Sequence, residues 1–115
     1  MDEISAALIM KMLDGLSLRY QFTAQNIANA NSPGYRPVRV SFEESLKAAA
    51  PKGIRAIEDT RPMTQYAAGQ PDSSEARLDL ELASASQTAM RYRALLEVLG
   101  RQMALHRALV SQGAR

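Results

Sequence analysis

The sequence predicts a mainly α-helical fold in which two long terminal helices pair as an antiparallel coiled-coil hairpin. Near both ends of the chain, apolar residues recur at alternating intervals of three and four, which is typical of one face of a helix. All five prolines lie between these stretches, at a density that excludes a third long helix. At 115 residues, the chain fits a single domain, residues 1–115.

The first helix is predicted over residues 2–31, because no proline interrupts this stretch. Asp2 and Glu3 favour its amino end, where the helix dipole is positive. Gly15 is a weak position inside it, since glycine costs about 1 kcal/mol relative to alanine in a helix. The apolar or small residues of its stripe are Ala6, Ile9, Leu13, Leu16, Tyr20, Thr23 and Ile27.

A tight turn is predicted directly after this helix. Asn29 and Asn31 tolerate the left-handed conformation that often ends a helix. Pro33 and Gly34 fit the two central positions of a type II turn, because Gly34 supplies the positive φ. We expect Tyr35 to lie on apolar surface with its hydroxyl in water.

One short helix is predicted inside the irregular middle segment. Ser41 and Glu44 have the spacing of a capping box, in which each side chain bonds to the other's backbone N–H. Phe42 and Leu46 are four residues apart and would therefore lie on one face. Pro51 would end the segment.

The rest of residues 32–77 is predicted to be turn and loop. Residues 54–57 are predicted to form a short strand. Residues 61–74 are polar and turn-rich, and we expect them to be mobile in an isolated subunit.

The second long helix is predicted over residues 78–113. A capping-box spacing at residues 72–75 precedes it, and Gly113 is a plausible stop. Its stripe consists of Leu78, Leu82, Ala85, Ala89, Tyr92, Leu96, Leu99, Met103, His106 and Val110. The predicted seam between the helices comprises Ile9, Leu13, Leu16 and Tyr20 from the first, with Leu82, Tyr92, Leu96, Leu99 and Met103 from the second. Both stripes are wider than one partner helix can cover, so we expect the chain to complete its core against neighbouring molecules.

Composition and motifs argue against an enzyme. There is no cysteine, and His106 is the only histidine; it lies on the apolar stripe, where a packing role is favoured over a catalytic one. The sequence has no phosphate-binding glycine loop, nucleophile elbow or histidine–carboxylate metal spacing. We therefore expect no catalytic residue, cofactor or metal.

Nucleic-acid binding and membrane insertion are also disfavoured. The net charge is only +2, and no helix-turn-helix or RNA-binding pattern accompanies the arginines of the second helix. No apolar run approaches the roughly 20 residues that a membrane-spanning helix needs. The acidic start, Met1-Asp2-Glu3, does not fit a cleaved secretory signal.

A resemblance to a known family lies in residues 26–35. They are similar to the Asn-X-Ala-Asn…Thr-Pro-Gly-Tyr motif of the flagellar basal-body rod proteins, with serine in place of the usual threonine. The residues concerned are Asn26, Ile27, Ala28, Asn29, Ala30, Asn31, Ser32, Pro33, Gly34 and Tyr35.

Further parts of the chain resemble the same family. Residues 78–81 look like its Val-Asp-hydrophobic-Glu segment at the start of the second helix, and residues 90–95 like its aromatic-containing core. Residues 42–46 resemble a Phe-Glu-X-X-Leu segment of the B-type proximal rod branch; the C-type branch is the next most similar. The chain departs from the family at residues 72–77, where a Gly-Asn-rich lead is missing, and at Thr88, where asparagine is frequent.

The resemblance implies a structural subunit of the proximal rod, in which many copies stack helically around the export channel and transmit torque from the MS ring toward the hook. It implies contacts with the C-type proximal and distal rod subunits, and with the rod adaptor protein, the MS ring and the export gate at the base. It also implies a location in the basal body, across the periplasm, after type III export without a cleaved signal. The alternative is a cytosolic helical export chaperone or adaptor, which explains the two stripes but not residues 26–35.

Overall fold

The computed structural model of the chain describes residues 1–69 and 74–113. It confirms a mainly helical fold with long terminal helices that pack together, and it adds a small two-stranded sheet. In chain order, the elements are α1 (Glu3–Ala28), β1 (Val38–Ser41), α2 (Glu43–Ala49), a 3-10 turn (Ala50–Lys52), α3 (Ile54–Asp59), β2 (Met63–Tyr66) and α4 (Ser74–Gly113).

Helix α1 begins one residue later than predicted and ends three residues earlier. The Asp2 carboxylate caps it by accepting a hydrogen bond from the Ser5 N–H at 2.6 Å. At the other end, Asn29 has a φ of −107°, and no described residue other than glycine has a positive φ. The predicted left-handed conformation of Asn29 and Asn31 is therefore wrong. Asn29 instead donates from its backbone N–H and its side-chain amide to the Gln25 carbonyl oxygen, which ends the helix without a left-handed residue.

The middle segment differs from its prediction in three ways. Ser41 belongs to β1, and α2 begins after Phe42 with no side-chain cap, so the predicted capping box is absent. Residues 54–57 form the start of α3 rather than a strand; Gly53, with a φ of 103°, redirects the chain so that Ile57 is fully buried. The third difference is the strand pair β1–β2, which was not predicted. The capping box predicted at residues 72–75 begins outside the described residues, since residues 72 and 73 are not described.

The core lies between α1 and the middle segment rather than along the helix pair alone. Its buried members are Leu16, Val40, Phe42, Leu46, Ala49 and Ile57. The Phe42 ring packs closely against α1 at Gly15. This approach requires glycine, because a Cβ at position 15 would overlap the ring atoms. The glycine that weakens the helix thus permits a close approach of the aromatic ring.

Helices α1 and α4 run in opposite directions. Asn26 at the end of α1 meets Glu81 near the start of α4, whereas Met1 and Ala6 line a groove with Leu99. The described chain extends 65 × 26 × 14 Å, so α4 dominates its length. No helix in the described ranges is both long enough and apolar enough to be a candidate membrane span.

Candidate functional site

Asn26 is the centre of a buried polar junction. Its side chain is 2% exposed. The amide nitrogen donates to the Val38 carbonyl oxygen at 3.0 Å and to Glu81 Oε2 at 3.2 Å. The amide oxygen accepts from the Val38 N–H at 3.0 Å and from the Tyr35 hydroxyl at 2.7 Å. Both donors and both acceptor positions of the asparagine are therefore used.

This side chain takes the place of a third strand beside β1. The Val38 N–H and C=O point away from β2, and Asn26 pairs with both of them. Further along the same edge, Arg19 donates to the Val40 carbonyl oxygen from Nη2 at 2.7 Å. Helix α1 thus satisfies backbone groups along the outer edge of β1.

Glu81 brings a charge into the junction. It is 2% exposed and accepts a hydrogen bond from Arg39 Nη1 at 2.5 Å through one oxygen, and from Asn26 through the other. A buried carboxylate is stable only when it is paired and hydrogen-bonded, and Arg39 and Asn26 meet that requirement. The junction therefore connects α1, β1 and α4 through polar contacts. We call the set Asn26, Tyr35, Val38, Arg39 and Glu81 the polar junction.

The turn after α1 positions Tyr35 for this contact. The Tyr35 N–H donates to the Ser32 carbonyl oxygen at 3.2 Å, and Gly34 has a φ of 76°, which confirms the predicted type II turn. The prediction that the Tyr35 hydroxyl lies in water is wrong, because it donates to Asn26. Burial raises the pKa of this hydroxyl above its usual range, and the nearby negative charge of Glu81 adds to the effect.

The remaining predicted motif residues frame the turn. Asn29 and Ser32 are half-buried and bonded to each other, with Ser32 Oγ donating to Asn29 Oδ1 at 3.2 Å. Ile27 is half-buried, and Ala28, Pro33 and Gly34 are exposed. The junction thus collects Asn26 and Tyr35, while the other motif residues shape or flank the turn between them.

The predicted seam residues fall into two groups. Ile9, Leu13 and Leu16 are buried, and Tyr92 and Leu99 are half-buried. The exposed members are Tyr20 at 48%, Leu82 at 48%, Leu96 at 44% and Met103 at 55%. His106, expected on the same stripe, is also exposed.

The face of α4 that packs inward is turned slightly from the predicted one. Its buried or half-buried positions include Leu78, Glu81, Ala85, Thr88, Tyr92, Leu95 and Leu99. Leu78, Ala85, Tyr92 and Leu99 belong both to this face and to the predicted stripe. Between these shared positions, the polar residues Glu81 and Thr88 face inward in place of the predicted apolar ones. As a result, apolar positions spaced seven residues apart are left outside this face. We call this row, of which Ala89 is half-buried and the other four members are exposed, the outer row: Leu82, Ala89, Leu96, Met103 and Val110.

An ion-pair cluster that was not predicted joins three helices. Arg19 donates from both terminal nitrogens to the two oxygens of Glu43, each at 2.7 Å, and lies 4.7 Å from the centre of the Phe42 ring. Arg91 approaches Glu43 Oε2 at 3.4 Å. The bonds from Arg19 are the main cause that lowers the pKa of Glu43 to about 2. The sequence signal was an arginine on the inward side of α1, close to the apolar stripe.

Comparison with known proteins adds no assignment: no family model matches the chain, and no curated protein matches it. Within residues 1–69 and 74–113, no group of three or more histidine, aspartate or glutamate side chains is arranged to hold a metal ion. What the site does must therefore be argued from its residues.

Proposed function

We propose that this chain is a structural subunit of the bacterial flagellar basal-body rod, most similar to the B-type proximal subunit. In this role, copies stack helically around the export channel and transmit torque from the MS ring toward the hook. The contacts proposed at the base are with the rod adaptor protein, the MS ring and the export gate, and further contacts are with other rod subunits.

The polar junction is the observation that carries this proposal. Two segments that resemble the rod family, residues 26–35 and 78–81, are far apart in the sequence. Asn26, Tyr35 and Glu81 from these segments meet in one buried network. A generic helix exit needs only one or two of these residue types, and it does not need a carboxylate from a distant helix.

The outer row supports an assembly rather than an isolated domain. Leu96, Met103 and Val110 are 44%, 55% and 58% exposed, and their spacing of seven residues suits a further helix packed against α4. Covering such side chains stabilises an interface by about 1.5–3 kcal/mol for each one fully buried. We propose that neighbouring subunits cover this row and that the paired terminal helices then form the coiled-coil lining of the tube.

A charge placed on the outer row tests the proposal. Met103→Asp should keep the monomer folded, since Met103 is already exposed, but should block incorporation into basal bodies and abolish motility. Leu105→Asp is the matched control, because Leu105 is 53% exposed but lies off the row. Wild-type incorporation of Met103→Asp would contradict the proposal. A stable small cytosolic complex with export substrates, formed equally by both variants, would favour the chaperone alternative.

A further inference from the structure

No residue among 1–69 and 74–113 forms hydrogen bonds along the outer edge of β2, in contrast to that of β1. All four residues of β2 are exposed, with Met63 at 60% and Tyr66 at 59%. The strand carries no charge and no proline, two features that natural proteins use to prevent pairing at an exposed edge. This edge is therefore open to another strand.

The hydrogen-bond pattern identifies which backbone groups face outward. The Ala67 N–H donates to the Pro37 carbonyl oxygen at 2.9 Å, which makes this a hydrogen-bonded pair. Such pairs recur at every second residue of an antiparallel ladder, so Gln65 and Met63 also bond to β1. The N–H and C=O groups of Thr64 and Tyr66 then point away from β1. In the part of the chain that the structure describes, no residue bonds to them.

We infer that the unassembled chain forms a two-fold dimer through antiparallel pairing of β2 with β2 of a second copy. The edge is self-complementary in this arrangement: Thr64 faces Tyr66 of the second copy, and Tyr66 faces its Thr64. Each facing pair exchanges two hydrogen bonds, and Gln65 lies on the two-fold axis opposite itself. The result is a four-stranded sheet in the order β1-β2-β2-β1.

The side chains along the outer edge of β2 are compatible with pairing to a second copy of the chain. The Tyr66 ring would lie against the β-branched Thr64 of the other copy, a favourable cross-strand pair. Arg61, the nearest charge before β2, would face Gly69 rather than another charge, and the Arg36 guanidinium lies 4.3 Å from the centre of the Tyr66 ring of its own chain. A two-fold contact closes on itself and cannot propagate into a tube. The dimer is therefore a form of the isolated chain, and it does not depend on the proposed function.

A cysteine on the two-fold axis tests this pairing in the purified full chain, which has no cysteine of its own. Facing Cα atoms in a non-hydrogen-bonded pair are about 4.5 Å apart, within disulfide range. Gln65→Cys should therefore form a disulfide-linked dimer under mild oxidation at least ten times faster than Arg55→Cys, an exposed control on α3. Met63→Cys should crosslink as slowly as the control, because its copies would be about 14 Å apart along the strands.

A second substitution blocks the edge without disturbing the monomer. Thr64→Pro removes an outward N–H that makes no bond to β1, so the Gln65→Cys crosslink should fall at least tenfold while the helical circular dichroism is unchanged. Equal crosslinking of Gln65→Cys and Arg55→Cys, or crosslinking that Thr64→Pro leaves intact, would overturn the inference. Hydrogen exchange at the Thr64 and Tyr66 amides gives a further test. If these amides are protected only when a different protein is added, the inference is overturned and the edge pairs with that protein instead.

Discussion

The side-chain amide of Asn26 lies 3.2 Å from Glu81 Oε2, and this contact joins two buried residues that are 55 positions apart in the sequence. A shift of α4 by one helical turn would leave the Glu81 carboxylate and one Asn26 donor buried without partners. The pair therefore fixes the register of the two long helices.

Asn26→Ala tests the polar junction. The substitution leaves the Val38 N–H and C=O, the Tyr35 hydroxyl and one Glu81 oxygen without their partner. We expect the free energy of unfolding to fall by about 3 kcal/mol, because buried polar groups without partners are costly. Urea unfolding followed by circular dichroism measures the change. The control, exposed Asn31→Ala, should change stability by less than about 0.5 kcal/mol; equal effects of the two would count against the junction.

Gly15 and Gly100 both lie in helices but differ in the space around them, so the same substitution at the two positions is expected to have opposite effects. Gly15→Ala should destabilise the protein by about 1–3 kcal/mol despite the better helix propensity of alanine, because the new Cβ overlaps the Phe42 ring. Gly100→Ala has open space around it and should stabilise the protein by up to about 1 kcal/mol. Thermal unfolding of the two variants distinguishes these signs. A stabilising Gly15→Ala would show that the ring does not pack against α1.

The Glu43 carboxylate predicts a pH dependence of stability. Its pKa is about 2 in the folded chain, below the ordinary value of 4.5, chiefly because Arg19 bonds to its charged form. The stabilisation is therefore fully present above the ordinary value and is lost as the pH falls from about 4.5 toward 2. Since the side chain is 40% exposed, solvent screening reduces the contribution to about 1 kcal/mol.

Glu43→Gln removes this contribution. Unfolding curves at pH 6 should show a loss of about 1 kcal/mol relative to wild type, and the difference should shrink toward zero near pH 2. Glu44→Gln, the exposed neighbour, serves as the control. A difference between Glu43→Gln and wild type that does not change with pH would contradict the assigned ion pair.

Gly34→Val tests the turn. Its φ of 76° is unfavourable for a β-branched residue, so the substitution should cost about 1–3 kcal/mol although no atom blocks the side chain. Gly34→Asn should be better tolerated, because asparagine adopts positive φ more readily. In flagellated cells, we expect Gly34→Val to block assembly and motility; normal swimming would contradict the role given to the turn.

Periodicity predicted the long elements because both helices present continuous apolar faces, and turn chemistry predicted Pro33 and Gly34 because few residues fit those angles. For α4, every second inward position was predicted one residue too late: Leu82 was expected where Glu81 lies, and Ala89 where Thr88 lies. Glu81 lies inward because Asn26 and Arg39 provide polar partners for its carboxylate, and Thr88 is buried further along the same helix; no period in hydropathy contains that information.

The strands were missed for a related reason. Val38–Ser41 alternates apolar and polar residues, but four residues are too few to indicate a strand without a visible partner, and Met63–Tyr66 has no buried face at all. Pairing across more than 20 residues and the cover from Asn26 and Arg19 stabilise them. Residues 54–57 are helical because Gly53 redirects the chain, and the helix that follows buries the Ile57 side chain in the core.

Quantitative mass spectrometry of detergent-extracted flagellar basal bodies tests most directly whether this chain is a rod subunit. The amount of this chain would be measured against the hook protein in bacteria that produce it. We predict several copies in each basal body, retained with the other rod subunits and lost in a strain carrying Met103→Asp. Absence from basal bodies, with the chain abundant in the cytosol, would contradict the claim and favour an export chaperone or adaptor.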